Sequence, residues 1–141
     1  MRTLPGVVVF LGAAGVVPLL ISGGVALGTG GRLSEVAFTA LSSYALAIIC
    51  FLSGSWWGIA LLRRETAVVI MSNLVVVGAW FAWLLLGSKP ALLALACFLV
   101  LTAIVEGVHP MFRPQPRYYR RLRLVLTGLA GGSLLSAATL A

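Results

Sequence analysis

Five strongly apolar stretches, each about 20 residues long, fill nearly all of a 141-residue chain and are separated by short breaks carrying Arg, Gly or Pro. A hydrocarbon core roughly 30 Å thick is crossed by about 20 helical residues, so a chain of this length holds five crossings and little else. The other architecture that satisfies its backbone in lipid, a β-barrel, requires ~10-residue segments of alternating polarity. The run from Ala91 to Val105 shows no such alternation. The reading is therefore an all-α, polytopic membrane protein: one domain, one bundle, with helices at about residues 4–27, 36–62, 66–86, 90–108 and 123–141.

Composition excludes the main soluble alternatives. Hydrophobic residues make up 61% of the chain and charged residues 9%, with a mean hydropathy of +1.11, outside the balance of a soluble domain. The net charge of +7 does not point to nucleic acid, because the basic residues sit in the breaks beside apolar spans, where topology and anionic lipid account for them. Cys50 and Cys97 fall inside spans and form no metal-ligand spacing. No cofactor and no metal is expected.

The first span contains Pro18, which removes a backbone hydrogen bond and predicts a kink. A cleaved signal peptide competes with this reading, because Arg2, an apolar run and the small pair Gly24 and Ala26 imitate its parts. The run exceeds the ~7–15 residues of a typical signal core, which favours a retained helix. Gly28 to Ser34 forms a flexible break, and Gly87-Ser88-Lys89-Pro90 forms a turn into the fourth span.

Charge alternates between the two sides of the bundle. Arg2, Arg63, Arg64, Arg113, Arg117, Arg120, Arg121 and Arg123 fall on one side, Arg32 and Lys89 on the other. The positive-inside rule then places the N-terminus in the cytoplasm and the C-terminus in the periplasm of a bacterial inner membrane. Arg outnumbers Lys nine to one, a usage that goes with GC-rich bacterial genomes.

Helix two carries the most information. Ser43, Ala47, Cys50, Gly54 and Gly58 recur every three or four residues and line one narrow face that another helix can approach closely. Gly54 with Gly58, Gly24 with Gly28, and Gly128 with Gly132 form GxxxG pairs, expected to pack helices inside one bundle. Trp56 and Trp57 near Arg63, and Trp80 and Trp83 near Lys89, fit interfacial belts. The functional alternative turns Trp56 or Trp57 inward with Tyr44, Ser53 and Ser55, lining a groove near Glu106 and His109 for a lipid or quinone.

Glu106 is the one acid inside a span, roughly one turn from the cytoplasmic end of the fourth helix, where an unpaired charge is costly. Snorkelling, or an ion pair with Arg63, Arg64, Arg113 or Arg117, is the structural reading; a proton site shared with His109 is the functional one. Glu106 and His109 also form an ExxH pair of the kind used in di-iron bundles. There is no second His, and Glu35 and Glu65 lie at opposite ends of helix two, so a metal centre is not expected. Asn73 is a candidate for an interhelical hydrogen bond.

The segment from His109 to Arg123 holds Pro110, Pro114, Pro116, Tyr118, Tyr119 and five Arg, which argues against a long regular helix there. Arg113, Arg117, Arg120, Arg121 and Arg123 are expected to meet anionic lipid at the cytoplasmic face or an acidic partner protein. One His, three Glu and no Asp cannot supply a triad or a carboxylate pair, so an enzyme is not expected. Nor are there the matched broken helices of a transporter.

The chain resembles the DUF3429-type family of small membrane proteins, the transmembrane protein 69-like family. The resemblance is carried by Leu11-Gly12 through Gly15 and Pro18, by the run from Tyr44 to Gly58 with its YxxxxxxFLxGxxWG pattern, and by Tyr118-Tyr119-x-x-Leu122-Arg123-x-x-Leu126-Thr127. It implies a retained first helix and brings no activity or cofactor. The combined expectation is a non-enzymatic accessory or assembly component of a membrane complex, with a lipid- or quinone-binding or small transport module as the alternative.

Overall fold

A computed structural model describes residues 3–141. Arg2, counted above in the charge asymmetry, lies outside the described residues. Five helices follow one another: α1 (Leu4–Gly28), α2 (Gly31–Arg63), α3 (Thr66–Leu85), α4 (Ser88–Val108) and α5 (Arg117–Leu140), with a short 3-10 turn at Pro110–Phe112. All five are long and apolar enough to cross a membrane.

The breaks are tight because local chemistry makes them so. Pro5 sits in the first turn of α1, where its missing N–H is no loss. Gly31 takes a φ of +65°, a backbone conformation open to glycine, and swings the chain into α2. At the other end of α2, Arg64 adopts the left-handed conformation (φ 58°), and Glu65 N–H reaches back to the Ala60 carbonyl at 3.0 Å. With only residues 29–30, 64–65 and 86–87 as connections, α1 to α4 run as antiparallel neighbours. The longer link of residues 109–116 lets α5 return against both α4 and α1, closing a ring in which α2 also touches α4.

Two helices begin earlier than hydropathy predicts. α2 starts at Gly31 rather than 36, and α5 at Arg117 rather than 123. Hydropathy detects the stretch that tolerates hydrocarbon, whereas helical hydrogen bonding continues into the polar interface. At 1.5 Å per residue α2 is about 50 Å long, well beyond a ~30 Å core. The Arg-rich segment is thus helical from the residue after Pro116, the last of its three prolines.

The interior is small and closely fitted. Leu19, Leu41, Ala45, Ile49, Leu92, Leu95 and Leu134 are completely buried, while Phe51, Leu62, Leu74, Ile70 and Leu84 face outward, where lipid would solvate them. In lipid there is no hydrophobic drive between helices, so close approach and interhelical hydrogen bonds hold the bundle. A Cβ on Gly12 would meet Leu126 at 3.0 Å, and one on Gly23 would collide with the Ser133 hydroxyl, so α1 and α5 touch through these glycines. Gly78 takes the Phe98 ring between α3 and α4 in the same way.

The GxxxG pairs do not perform this role inside the bundle. Gly24, Gly28, Gly54, Gly58, Gly128 and Gly132 are exposed, and a Cβ on any of them would meet nothing within 4 Å. Ser43 and Ala47 are exposed and Cys50 is half-buried, so the predicted packing face of α2 points away from the other helices. The reason is geometric: Leu41, Ala45, Ile49, Leu52 and Trp56 bury a larger apolar area, and they occupy the opposite side of the helix.

Polar side chains stitch the ring at several levels. Tyr44 Oη donates to the Gly15 carbonyl at 2.9 Å, in the turn before Pro18, and so ties α2 to α1. Ser133 donates to the Leu19 carbonyl at 2.9 Å, and Trp83 Nε1 donates to Ser42 Oγ at 3.1 Å. Asn73 does not bridge helices; it is exposed and donates to the Val69 carbonyl one turn back in α3, at 2.8 Å.

Candidate functional site

The densest polar chemistry sits where α2, α4 and α5 meet near their arginine-rich ends. Glu106, in the last turn of α4, is 5% exposed. Arg123, in the second turn of α5, is 9% exposed, and its Nε donates to Glu106 Oε2 at 2.8 Å. Trp56 of α2, completely buried, donates its indole Nε1–H to the other carboxylate oxygen, Oε1, at 3.0 Å.

The guanidinium is equally occupied. Arg123 Nη2 donates to Thr102 Oγ1 at 2.9 Å, and Nη1 donates to Thr127 Oγ1. Thr102 passes its own proton to the Leu99 carbonyl at 2.7 Å. Helical spacing makes this possible: Thr102 lies one turn before Glu106 in α4, and Thr127 one turn after Arg123 in α5, so each ion has a hydroxyl on its own helix face.

Taking two ions out of water costs more than their attraction returns unless remaining donors and acceptors are satisfied. Here each carboxylate oxygen accepts a bond and every guanidinium nitrogen donates one. Among the described residues this is the one ion pair between two side chains. A carboxylate held in this way joins three helices.

Several expectations change accordingly. Arg123 does not meet lipid, because it lies one helical turn further into the bundle than Arg120 and faces α4. Arg113, Arg117, Arg120 and Arg121 are exposed, and Arg113 Nη2 donates to the Gly107 carbonyl at the end of α4, at 3.2 Å. Glu106 pairs with none of Arg63, Arg64, Arg113 or Arg117. His109 shares no proton site with it: His109 Nδ1 accepts from Met111 N–H at 3.2 Å, and its ring lies edge-on to Phe112.

The predicted groove is only partly assembled. Trp56 and Glu106 are brought together, but Trp57 is 43% exposed and points outward. Tyr44 lies twelve residues before Trp56, about 18 Å along the helix, and engages α1. Ser53 is buried, with a hydroxyl that has no hydrogen-bond partner among the described residues. Sequence reading missed Arg123 as a partner of Glu106 and gave no role to Thr102 or Thr127. The available signal was a pair of polar residues four apart on each of two apolar helices.

Beside the ion pair lies a cavity of about 310 Å³, lined by Ser55, Trp56, Ile59 and Arg63 of α2, by Glu106 of α4, by Met111, Phe112, Pro114, Gln115 and Pro116 of the link, and by Tyr119 of α5. The Trp56 and Phe112 rings meet at a centroid distance of 5.6 Å and form its floor. Among the described residues no group of three or more His, Cys, Asp or Glu side chains comes together to hold a metal.

Comparison with known proteins adds a family and no activity. The family model described as a protein of unknown function, DUF3429, matches residues 4–139. Transmembrane protein 69 of Xenopus tropicalis is 29% identical over 142 residues, covering 97% of this chain and 55% of the relative. The chain thus spans about half the length of that curated relative. No solved structure matches.

Proposed function

We propose, from the premise that this chain belongs to the DUF3429 family of proteins of unknown function, that it is a non-enzymatic accessory or assembly component of a membrane complex, offering the outward face of α2 to a membrane-embedded partner. The observation that carries this is the open small-residue face. Ser43, Ala47, Gly54 and Gly58 are exposed at helical spacing, with nothing within 4 Å of either glycine's missing Cβ. Phe51, 77% exposed, stands beside them as an apolar knob. Such faces let backbones approach closely enough for van der Waals contact to drive association in lipid.

The interior polar groups support the same reading from the other side. Glu106 and Arg123 engage each other, Trp56 and two threonines, which supports a structural role for both. The exposed Arg63, Arg64, Arg113, Arg117, Arg120 and Arg121 would sit at the cytoplasmic surface of a bacterial inner membrane, with the N-terminus inside and the C-terminus in the periplasm.

Gentle extraction of the tagged protein from its native membrane, followed by mass spectrometry of co-purifying proteins and small molecules, tests the proposal. A stoichiometric membrane partner is expected, and Gly54→Leu with Gly58→Leu should release it while leaving the protein's own unfolding midpoint in place. A protein that comes out alone, or a partner indifferent to both leucines, overturns the reading.

A further inference from the structure

The cavity beside the ion pair plays no part in the partner reading, and its chemistry points elsewhere. Its volume of about 310 Å³ is at the low end of the ~300–1,000 Å³ typical of small-molecule sites: room for a headgroup, not for two acyl chains. Its lining is two-sided. Trp56, Met111 and Phe112 are buried and apolar, with Ile59 beside them, while Arg63, Gln115 and Tyr119 bring polar atoms.

The charge balance around it is one-sided. The acid in its wall, Glu106, is cancelled by Arg123, and both its oxygens are engaged. Arg63 has no acidic partner among the described residues. Arg64, Arg113, Arg117, Arg120 and Arg121 stand exposed at the same end of the bundle, against Glu65 alone. The cavity wall includes Pro116, the residue just before α5, and Tyr119 in its first turn; no side chain caps this 24-residue helix, so the positive end of its dipole adds to the field.

The location decides what kind of anion fits. Arg63 closes α2 and Arg117 opens α5, so the cavity lies where hydrocarbon gives way to headgroups, and its apolar wall suits the first carbons below a phosphate. A neutral quinone ring would leave the surplus positive charge unmatched. We propose that this cavity binds the phosphate headgroup of an anionic phospholipid, with Arg63 and Tyr119 on the phosphate and Ile59 and Met111 against the glycerol and upper methylenes.

The test is native mass spectrometry of the full chain in neutral detergent, titrated separately with phosphatidylglycerol, phosphatidylcholine and inorganic phosphate. One phosphatidylglycerol should bind saturably, at least about tenfold tighter than phosphatidylcholine, a gap set by more than one arginine. Arg63→Gln should weaken it roughly fivefold, the share of one arginine near an anionic headgroup. Arg121→Gln removes the same charge from the same end but outside the cavity, and should weaken it clearly less. Ile59→Trp fills the cavity without changing charge, and should abolish saturable binding while leaving the unfolding midpoint of the lipid-free protein in place. Equal effects of Arg63→Gln and Arg121→Gln would reduce the attraction to diffuse surface charge and overturn the proposal. So would equal binding of the two lipids, retained binding in Ile59→Trp, or inorganic phosphate binding as tightly as phosphatidylglycerol.

Discussion

The inward and outward faces of α2 share one backbone and one stretch of sequence, yet they are built on different principles. Inward, Leu41, Ala45, Ile49 and Trp56 are completely buried, and Trp56 ends in a hydrogen bond to a carboxylate on another helix. Outward, Ser43, Ala47, Gly54 and Gly58 leave the backbone open, with Phe51 and Trp57 projecting beside them. The inner face is packed within the chain; the outer one is not. Small residues at helical spacing therefore state how closely a helix can be approached, not which neighbour approaches it.

The sharpest way to break this comparison is to remove the acid that the inner face serves. Glu106→Ala leaves Arg123 buried without its counter-ion and Trp56 without its acceptor, and should cost about 3–5 kcal/mol of stability in detergent unfolding. Pairing Glu106→Leu with Arg123→Met removes both charges, and should recover much of that loss. A single substitution that cost less than about 1 kcal/mol would place the cluster among weak surface pairs instead.

A smaller effect separates glycines that pack from glycines that do not. Gly23→Ala would drive the Ser133 hydroxyl off the Leu19 carbonyl, a loss of roughly 1 kcal/mol measured by the same unfolding assay. Gly54→Ala and Gly58→Ala meet nothing, so they should leave the isolated protein unharmed or stabilise it by up to about 1 kcal/mol each through helix propensity. If they destabilised it as Gly23→Ala does, the outward face would have to be packed within the chain after all.

Much of the architecture was legible because the physical demands of lipid are few. Five long apolar runs with Gly, Pro and Arg in the breaks can only be helices, and the residues of those breaks mark where each helix turns. The starts of α2 and α5 were misplaced because polar residues end a hydropathic span without ending a helix. Arg123 illustrates the cost: treated as the edge of a span, it looked like a lipid contact, whereas its place in the second turn of α5 turns it toward Glu106. Tyr44 and Trp56, read together as one groove, separate as soon as the rise of the helix between them is considered.

The sequence by itself determined the solvent, the number of crossings and the presence of one costly buried acid, because apolar length and an isolated charge have the same meaning in any membrane bundle. Only the tertiary structure decided which arginine answers that acid, which glycines touch a neighbour and which face of α2 is left over. Those outcomes depend on the rotation of each helix about its axis. That rotation is set by packing against all the others at once, and no single helix encodes it.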